Sequence, residues 1–291
     1  MTSLTNLALI LTCALTLTAC AANTKLTPLG LPTSLAKPDG YSLVWADEFE
    51  TDGLPDPSRW TYDTHRNAQG WYNDELQYYA DGRAQNARIE NGRLIIEARI
   101  DKTDIESQPD WGGQKYSSAR LMTKDRAAWQ YGYVDVRAKL PCGTGLWPAI
   151  WMLPQNGGKW PDDGEIDIME YVGFDADTFH ATIHTKDYNH IKGTEVGEKI
   201  RMKGACGAFQ THSLLWTPER ITVAVNGKAY FAYDNDGQGK GSWPFDDPFY
   251  LIFNIAVGGS WGGLQGVSDA AFPAQMEVDY VRVYQLNGNA N

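Results

Sequence analysis

The sequence is short of basic residues, and it therefore lacks the charge that binding to a polyanion requires. It contains 25 lysine and arginine residues against 36 acidic residues, which gives a formal net charge of −11. Nucleic-acid-binding proteins use clustered lysine and arginine to displace counterions from the phosphate backbone. The composition excludes nucleic acid as the expected partner, and a neutral polymer fits better than an anionic one.

The sequence also has no convincing membrane span near its start. The apolar run Asn6–Ala19 ends in Leu17-Thr-Ala-Cys20, and it is shorter than the roughly 20 apolar residues of a transmembrane helix. Small residues before a cysteine are typical of a lipoprotein-type export signal. We predict a signal segment at residues 1–20 and a lipid anchor at Cys20 as the sole membrane contact. The protein is expected on the outer membrane, facing the periplasm or the cell surface. The alternative is a plain signal peptide in which the cysteine occurs by chance, and the protein would then be secreted.

Cysteine is scarce, with four in the whole chain. Cys13 and Cys20 belong to the signal segment, which leaves Cys142 and Cys206 in the body of the protein. Two thiols in an oxidising compartment can pair, but the sequence does not show how far apart they lie. A disulfide and two separate buried thiols are both compatible with the sequence.

Helical periodicity is missing from the body of the sequence. No window of 12 residues repeats its apolar residues with a period near 3.6, whereas short runs alternate with a period of two or are continuously apolar. The principal predicted strands are Tyr131–Leu140, Ala149–Leu153, Ile166–Val172, Thr178–His184, Phe249–Val257 and Met276–Tyr284. Two Asn-Gly pairs, Asn91-Gly92 and Asn226-Gly227, predict hairpins with type I′ turns. We predict an all-β domain over residues 40–291, built as a two-sheet antiparallel β-sandwich, after a linker at 21–39.

One predicted strand carries three acidic residues, Glu165, Asp167 and Glu170. Side chains at i and i+2 share a face of a strand, so Glu165 and Asp167 point together, opposite the isoleucines. Strict alternation would turn Glu170 into the core, where an unpaired carboxylate is very unfavourable. We predict a β-bulge at Ile168 or Met169 that returns Glu170 to the polar face.

The bulged strand would bring two glutamates to one substrate. Glu165 and Glu170 can then approach the separation of about 5 to 5.5 Å that retaining glycosidases use. Like charges that close do not both ionise readily, so one carboxyl is expected to stay protonated near neutral pH and act as an acid. Asp167 can hydrogen-bond to either neighbour. The alternatives are an exposed strand of solvated acids or a calcium cluster.

The chain resembles glycoside hydrolase family 16, and within it the laminarinases, over most of its length. The segments that carry the resemblance are Val44–Phe49, Asp74–Tyr79, Ser118–Leu121, Tyr131–Val134, Leu146–Pro154, Gly164–Gly173, His184–Thr185, Tyr188–His190, Asn254–Gly259 and Val278–Tyr284. The resemblance implies a curved jelly roll with an open concave substrate cleft. It also implies retaining endo-hydrolysis of β-1,3-glucosidic bonds, with Glu165 as the nucleophile and Glu170 as the acid and base. No cofactor is expected for catalysis, and a monomer is expected.

Three alternatives to this activity are kept. Met169 lengthens the acidic strand relative to family members with the pattern E-x-D-x-E, such as lichenases, whereas agarases share the longer form. Hydrolysis of mixed-linkage β-1,3-1,4-glucan and hydrolysis of agarose are therefore alternatives. The third is a β-glucan-binding protein on the same fold that has lost its chemistry.

Tryptophans are the expected sugar platforms. Trp147 and Trp151 lie four residues apart and so share a face of one strand, where indole rings can pack against the apolar faces of sugars. Two core tryptophans are the alternative. Trp261 lies in a glycine-rich loop, Gly258–Gly263, in which the backbone can approach a ligand closely, and it is the third candidate.

Polar residues around the acidic strand complete the expected site. By resemblance, Arg120 and Asn73 hold sugar hydroxyls or the nucleophile on the donor side, while the alternative for Arg120 is a surface ion pair. His180 and His184 face the same way. His184 is expected near the acid and base, where it would tune protonation, and His180 is expected to be structural. A zinc site with His190 is disfavoured because no cysteine or acidic ligand completes a set at the usual spacing.

The resemblance further implies one structural calcium on the convex face. Its ligands would be Glu48, the carbonyl oxygen of Gly92 and Asp279. Oxygen donors suit calcium, although one or two acidic side chains make a modest site.

Overall fold

Short extended runs separated by turn residues fold into strands almost throughout. The structure, a computed structural model, describes residues 30–288 apart from the side chains of 102 and 103. The first nine strands are β1 (Tyr41–Asp47), β2 (Thr61–Tyr62), β3 (Gln77–Tyr79), β4 (Ala87–Ile89), β5 (Leu94–Ile100), β6 (Tyr116–Ser118), β7 (Arg120–Met122), β8 (Gly132–Lys139) and β9 (Leu146–Pro154). The others are β10 (Glu165–Glu170), β11 (Thr178–His184), β12 (Val196–Arg201), β13 (Phe209–Trp216), β14 (Arg220–Val225), β15 (Lys228–Asp234), β16 (Phe249–Val257) and β17 (Ala274–Leu286).

Helix is confined to single turns in the part of the chain that the structure describes. These are α1 (Lys102–Ile105) and two 3₁₀ turns, at Tyr72–Asp74 and Asp269–Ala271. Within residues 30–288, no helix has the length and apolarity needed to cross a bilayer. The expected signal segment at 1–20, with Cys20, and residues 21–29 of the expected linker lie outside the described residues, so these assignments stay predictions.

The strands form two sheets, which confirms the predicted all-β sandwich. One sheet has ten strands, in the order β15-β14-β13-β8-β17-β5-β6-β3, with β1 added on β17 and β4 on β5. The other has seven strands, in the order β12-β11-β10-β9-β16-β7-β2. Pairing is antiparallel except between the short strands β3 and β6, which run parallel. This one parallel pair joins two three-residue strands at the edge of an otherwise antiparallel sheet.

Both predicted hairpins are confirmed. β4 and β5 are joined through Asn91 and Gly92, with φ values of 54° and 71°. β14 and β15 are joined through Asn226 and Gly227, with φ values of 49° and 75°. Positive φ at both central positions defines the type I′ turn, whose twist matches that of the paired strands. The Asn-Gly pairs thus set the register of two ladders in the ten-stranded sheet.

The hydrophobic core lies between the two sheets. Val136 on β8, Ile166 on β10 and Phe253 on β16 are all fully buried and belong to one cluster. Phe179 on β11 also meets His212 on β13 across the layers, with ring centroids 4.9 Å apart. The inner face of the seven-stranded sheet is therefore sealed by the other sheet, and its outer face is available for a ligand.

A disulfide settles the alternative that the sequence left open. Cys142 follows β8 and Cys206 precedes β13, and the two are bonded with Cα atoms 5.7 Å apart. The closed loop contains β9, β10, β11 and β12, which are four neighbouring strands of the seven-stranded sheet. The bond thus ties the segment that carries the acidic strand to the ten-stranded sheet.

Candidate active site

The outer face of the seven-stranded sheet lines a cleft of about 1050 Å³. Its walls come from β7, β9, β10 and β16, and from loop residues around 157–164 and 190–191. Pockets for compact small molecules span roughly 300–1000 Å³. The cleft lies at the upper end of that range, which suits an extended ligand with several rings.

A β-bulge in β10 places the third acid in the cleft. Against β9, Asp167 pairs with Trp151 and Met169 pairs with Ile150, so Ile168 is one residue too many on β10. Ile168 and Met169 are both fully buried. The side-chain phase therefore shifts by one residue, and residue 170 returns to the outer face. The predicted bulge is confirmed, and all three acids line the cleft.

Each of the two glutamates accepts a hydrogen bond from an indole. Trp160 Nε1 donates to Glu165 Oε2 over 2.7 Å, from the loop between β9 and β10. Trp147 Nε1 donates to Glu170 Oε1 over 3.0 Å, from the neighbouring strand β9. An N–H donor stabilises the ionised form of a carboxyl. One oxygen of each glutamate is thus fixed, and its other oxygen is available to a substrate.

His184 contacts the first two acids rather than the third. Its Nε2 lies 3.4 Å from Asp167 Oδ2 and 4.0 Å from Glu165 Oε1. On the ladder between β10 and β11, His184 is opposite Glu165, whereas Glu170 is opposite His180. The contacts of His184 are therefore with Glu165 and Asp167, while its expected effect on the protonation of Glu170 is present through its charge, which lowers the pKa of Glu170.

Burial raises the pKa values of all three carboxyls. Burial, with the nearby Asp167 carboxyl, raises the pKa of Glu165 to about 8. The pKa of Asp167 lies well above its usual range because of burial and then of the charge on Glu170. Burial raises the pKa of Glu170 to about 7, against the opposing effect of His184. Because the three groups interact directly, they titrate as a set, and the cluster retains protons near neutral pH.

Trp151 and Arg120 form a buried aromatic and cationic stack beside the acids. Trp151 Nε1 donates to Asn254 Oδ1 over 2.8 Å. The Arg120 guanidinium lies 4.6 Å from the Trp151 ring and 5.2 Å from the Trp71 ring, and its Nε is 3.0 Å from Asp63 Oδ2. The Arg120 side chain is 9% exposed. The ion pair is therefore buried within the cleft wall, and the alternative of a surface pair was wrong.

Both strand tryptophans lie on the cleft face, as predicted. Trp147 and Trp151 line the cleft, whereas Ile150 and Met152, which alternate with them on β9, are fully buried. The alternative of two core tryptophans is therefore excluded.

Of the other two predicted substrate-binding residues, Asn73 lines the cleft and Trp261 lies behind Trp147. Asn73 lines the cleft with a φ of 57°, and its Nδ2 donates to Glu75 Oε1 over 3.4 Å. Trp261 packs edge-on against Trp147 and His180, with centroids 5.2 and 4.9 Å away. It does not belong to the residues that line the cleft. Trp261 therefore supports Trp147 from outside the cleft wall in this structure.

Comparisons with known proteins agree with this geometry. The sequence profile of glycosyl hydrolases family 16 matches residues 93–282. The chain belongs to glycosyl hydrolases family 16. A β-glucanase from Rhodothermus marinus is 50% identical over 254 residues, which cover 84% of this chain and 85% of that protein. Glucan endo-1,3-β-glucosidase A1 from Niallia circulans is 38% identical and is longer, since the match covers 88% of this chain but 39% of that protein.

A solved structure gives the same result for the fold. The crystal structure named SCLam, a non-specific endo-β-1,3(4)-glucanase of family 16, superposes with a TM-score of 0.84 and 57% identity. The match covers 87% of this chain and 94% of that chain. The jelly-roll fold and the family that the sequence indicated are confirmed, and the protein is a glycoside hydrolase.

The expected calcium ligands have other partners in this family-16 chain. Glu48 accepts two hydrogen bonds from Arg282, at 2.7 and 2.8 Å, and Asp279 accepts one from Arg137 at 2.6 Å. As arranged, these carboxylates do not fit a calcium ion with the Gly92 carbonyl, because each is already neutralised by an arginine. The calcium site stays a prediction.

Sequence reasoning missed several residues of the site. Trp160 holds Glu165 from a loop, Trp71 stacks on Arg120, and Glu75 is a further carboxyl in the cleft. Burial raises the pKa of Glu75, against the opposing hydrogen bond from Gln77. Trp160 lies five positions before Glu165 in a loop rich in Gly and Asp. Its being the one aromatic residue of that loop was the sequence feature that could have indicated a role in the site.

Proposed function

We propose that the protein is an endo-β-1,3-glucanase that acts with retention of configuration through Glu165 and Glu170. The observation that carries the proposal is the bulge at Ile168, which brings the two glutamates to one face of β10 inside a cleft. Two carboxyls on one face of an open cleft are the machinery of a retaining glycosidase. The similarity to β-glucanases supports β-1,3-linked glucan as the substrate.

In the proposed reaction, Glu170 protonates the glycosidic oxygen while Glu165 attacks the anomeric carbon. The bond to the leaving sugar breaks as a glycosyl-enzyme ester forms on Glu165. Glu170 then removes a proton from water, which attacks the same carbon and releases the sugar with its original configuration. The indole donor of Trp160 favours the ionised form of Glu165, whereas burial and the Asp167 carboxyl oppose it and raise the pKa of Glu165 to about 8. The reactive state, with Glu165 ionised and Glu170 protonated, is therefore one of several proton distributions within the coupled set. The expected carboxyl separation of about 5 to 5.5 Å stays a prediction.

The cleft walls suit a neutral polymer that binds along its length. Trp147 and Trp151 present partly exposed indole surface beside the acids, and sugar rings pack on such surfaces through their apolar faces. Arg120 and Asn73 supply polar groups at the same wall and are proposed to position sugar hydroxyls. Because the cleft is open and extended, we expect attack within a chain rather than at its end.

The test is hydrolysis of laminarin, followed by reducing-sugar release and product length. Wild type should release oligosaccharides of several lengths, and Glu165→Gln and Glu170→Gln should each lose at least about a thousandfold in kcat, as expected when a reacting group is removed. Glu198→Gln is the matched control, since Glu198 is an exposed glutamate on β12 of the same sheet. A protein that only binds glucan would show no difference between wild type and the two cleft variants.

The two roles are separable with azide. Azide should rescue Glu165→Ala to give a glycosyl azide of inverted configuration, because azide replaces the nucleophile. With Glu170→Ala and an aryl β-glucoside whose phenolate leaves without protonation, azide should give a product of retained configuration, because the intermediate still forms on Glu165. The first anomer detected by NMR during wild-type hydrolysis should be β, and an α anomer would refute retention.

Hydrolysis of mixed-linkage glucan is the second candidate. The specific observation is the 57% identity to a protein named a non-specific endo-β-1,3(4)-glucanase. A substrate panel of laminarin, curdlan, mixed-linkage β-1,3-1,4-glucan and agarose, analysed by product length, separates the candidates. We expect activity on the first three and none on agarose.

We also propose that the protein is exported and carries a lipid on Cys20. The disulfide between Cys142 and Cys206 supports an oxidising compartment. Labelling with a radioactive fatty acid should mark wild type, and Cys20→Ala should lose the label and leave the membrane fraction. Label that persists in this variant would refute the anchor. A monomer stays a prediction that analytical ultracentrifugation can check.

A further inference from the structure

Side-chain atoms that could bind a metal ion lie close together on two neighbouring strands, at the Glu165 end of the three acids. Glu165 and Asp167 come from β10 and His184 from β11, and one ligand atom from each lies within 4.8 Å of the other two. His184 Nε2 is 3.4 Å from Asp167 Oδ2 and 4.0 Å from Glu165 Oε1. It is the one such group of three found in residues 30–288. The carboxyls of Glu165 and Asp167 also interact through a side-chain hydrogen bond, so the three groups form one connected cluster.

Two of these side chains are buried, and each has one polar atom without a hydrogen-bond partner among the described residues. The Asp167 side chain is 4% exposed and that of His184 is 9% exposed. Within the described residues, neither Asp167 Oδ2 nor His184 Nδ1 has a hydrogen-bond partner. An unpaired buried polar atom is unfavourable, and it commonly marks a missing water or ion. Asp167 Oδ2 lies 3.4 Å from the other ring nitrogen of His184, Nε2.

The distances are close to those of a tetrahedral metal site. Zinc binds oxygen and nitrogen at about 2.0 Å, so two ligand atoms of a tetrahedron lie about 3.3 Å apart. The distance between His184 Nε2 and Asp167 Oδ2, 3.4 Å, is close to that value, and Glu165 Oε1 is farther from His184 Nε2, at 4.0 Å. Trp160 holds the other oxygen of Glu165, which leaves Oε1 on the histidine side.

We propose that Glu165, Asp167 and His184 form a site for a zinc ion, and that zinc blocks hydrolysis by occupying the nucleophile. A nitrogen ligand with two carboxylates suits zinc, whereas calcium and magnesium prefer oxygen ligands alone. Water from the open cleft takes the fourth position. The block rests on the proposed role of Glu165, but the binding does not.

Sequence spacing pointed away from this site for a physical reason. The spacing of His180, His184 and His190 offers no acidic ligand at the usual separation along the chain. The acids come instead from the paired strand, since Glu165 lies opposite His184 in the ladder. His180 faces Trp261 and contributes nothing to the site.

The binding should be reversible rather than structural. Ligating histidines in tight zinc sites donate their second ring nitrogen to a carbonyl or carboxylate, and loss of that partner costs about 10- to 100-fold in affinity. His184 Nδ1 has no such partner in the described part of the chain. We therefore expect zinc to dissociate on treatment with EDTA and to leave the fold intact.

The test is a calorimetric titration of the full protein with zinc chloride after EDTA treatment and removal of the chelator. Millimolar calcium chloride is present to occupy sites made of carboxylates alone. Wild type should bind one zinc ion, and His184→Gln and Asp167→Asn should each weaken binding at least tenfold while thermal unfolding shows that they fold. Glu198→Gln should bind zinc as wild type does, since Glu198 is an exposed glutamate on β12 and is not one of the three ligands.

A second histidine–carboxylate pair at the cleft provides the matched control. His65 Nδ1 lies 2.5 Å from Asp63 Oδ1, and the His65 side chain is 52% exposed. His65→Gln should leave zinc binding unchanged, and a loss of binding in this variant with none in His184→Gln would overturn the proposal. Absence of binding to wild type would also overturn it.

Inhibition is measured separately with laminarin. Zinc should inhibit laminarin hydrolysis over the concentrations that fill the site in the titration, and EDTA should restore activity. Unchanged hydrolysis by the zinc-loaded protein would refute the block at the nucleophile. If no glucan is hydrolysed, the proposed function fails, while the titration still decides the metal site.

Discussion

Each glutamate of the site accepts one indole hydrogen bond, and removal of either bond should change one side of the pH profile. Trp160 donates to Glu165 and Trp147 donates to Glu170. Trp160→Phe and Trp147→Phe keep an aromatic ring and delete the donor. Both donors stabilise the ionised carboxyl, so each variant should raise the pKa of its own glutamate.

The size of the effect follows from the strength of a hydrogen bond to a charged acceptor. Such bonds contribute about 1.5–3 kcal/mol. Trp160 is 38% exposed, so water can partly replace its N–H group, and the lower end of that range applies. About 1.5 kcal/mol corresponds to roughly one pKa unit, or about a tenfold change in rate on the affected side.

The signs differ because the two carboxyls need opposite protonation states. Glu165 must be ionised to attack, so Trp160→Phe should lower kcat/KM about tenfold on the acid side and leave the alkaline side unchanged. Glu170 must be protonated to act as an acid, so Trp147→Phe should raise kcat/KM about tenfold on the alkaline side relative to the acid side. Proton sharing among the acids does not alter these directions, because each donor acts on one carboxylate.

The assay is kcat/KM on a soluble laminarin oligosaccharide across the pH range in which the protein stays folded. Loss of sugar packing would lower the whole profile equally, so the comparison uses the ratio of the two sides. Trp151→Phe is the control, since its indole donates to Asn254 rather than to an acid. If the two effects appear on exchanged sides, the roles of Glu165 and Glu170 are reversed, and unchanged ratios would refute the reasoning.

Three further predictions concern the strand, the disulfide and a buried histidine. Deleting Met169 restores even alternation, so the last glutamate stays on the cleft face and laminarin hydrolysis should persist, whereas deleting Ile168 and Met169 together should abolish it in a protein that still shows β-sheet circular dichroism. Cys142→Ser with Cys206→Ser opens a loop of 64 residues and should lower the free energy of unfolding by about 4 kcal/mol in urea titration; an unchanged value would contradict the entropic account. Burial lowers the pKa of His212 to about 3. As pH falls below about 6.5, His212 therefore binds a proton in the unfolded state but not in the folded state, and this lowers the free energy of unfolding progressively. Between pH 7 and pH 5, the free energy of unfolding of His212→Phe should therefore fall by about 2 kcal/mol less than that of wild type in urea titrations. Equal decreases in the two proteins would contradict this.

The acidic strand shows why part of the site was predictable from sequence. Alternation with a period of two fixed the faces of Glu165 and Asp167, and the energetic penalty of burying Glu170 required an irregularity. The structure has the irregularity at Ile168, one of the two positions expected. If the alternation of side chains were out of phase by one residue, a carboxylate would be buried, so this single energetic penalty selects one arrangement.

Contacts between strands distant in sequence were beyond the same reasoning. His184 meets Asp167 because the register of β10 on β11 is set by the bulge and the loop between them, and a shift of one residue would turn the histidine to the other face. Trp71 reaches Arg120 from a loop, and no periodicity applies there. The strand and face of His184 and its effect on Glu170 were predictable, whereas its contact with Asp167 was not.

The loop before Glu165 shows how local chemistry fixes a long-range contact. Asp163 Oδ2 accepts hydrogen bonds from the backbone N–H groups of Gly158 and Lys159, each over 2.8 Å, which closes the loop on itself. These two bonds lower the pKa of Asp163, so the carboxylate stays ionised and the loop stays closed well below neutral pH. Trp160 lies within the closed segment and reaches Glu165 from it. An aspartate that accepts backbone bonds in a turn is a recognisable sequence feature, so the indole hydrogen bond to Glu165 depends on a carboxylate whose own bonds close the loop.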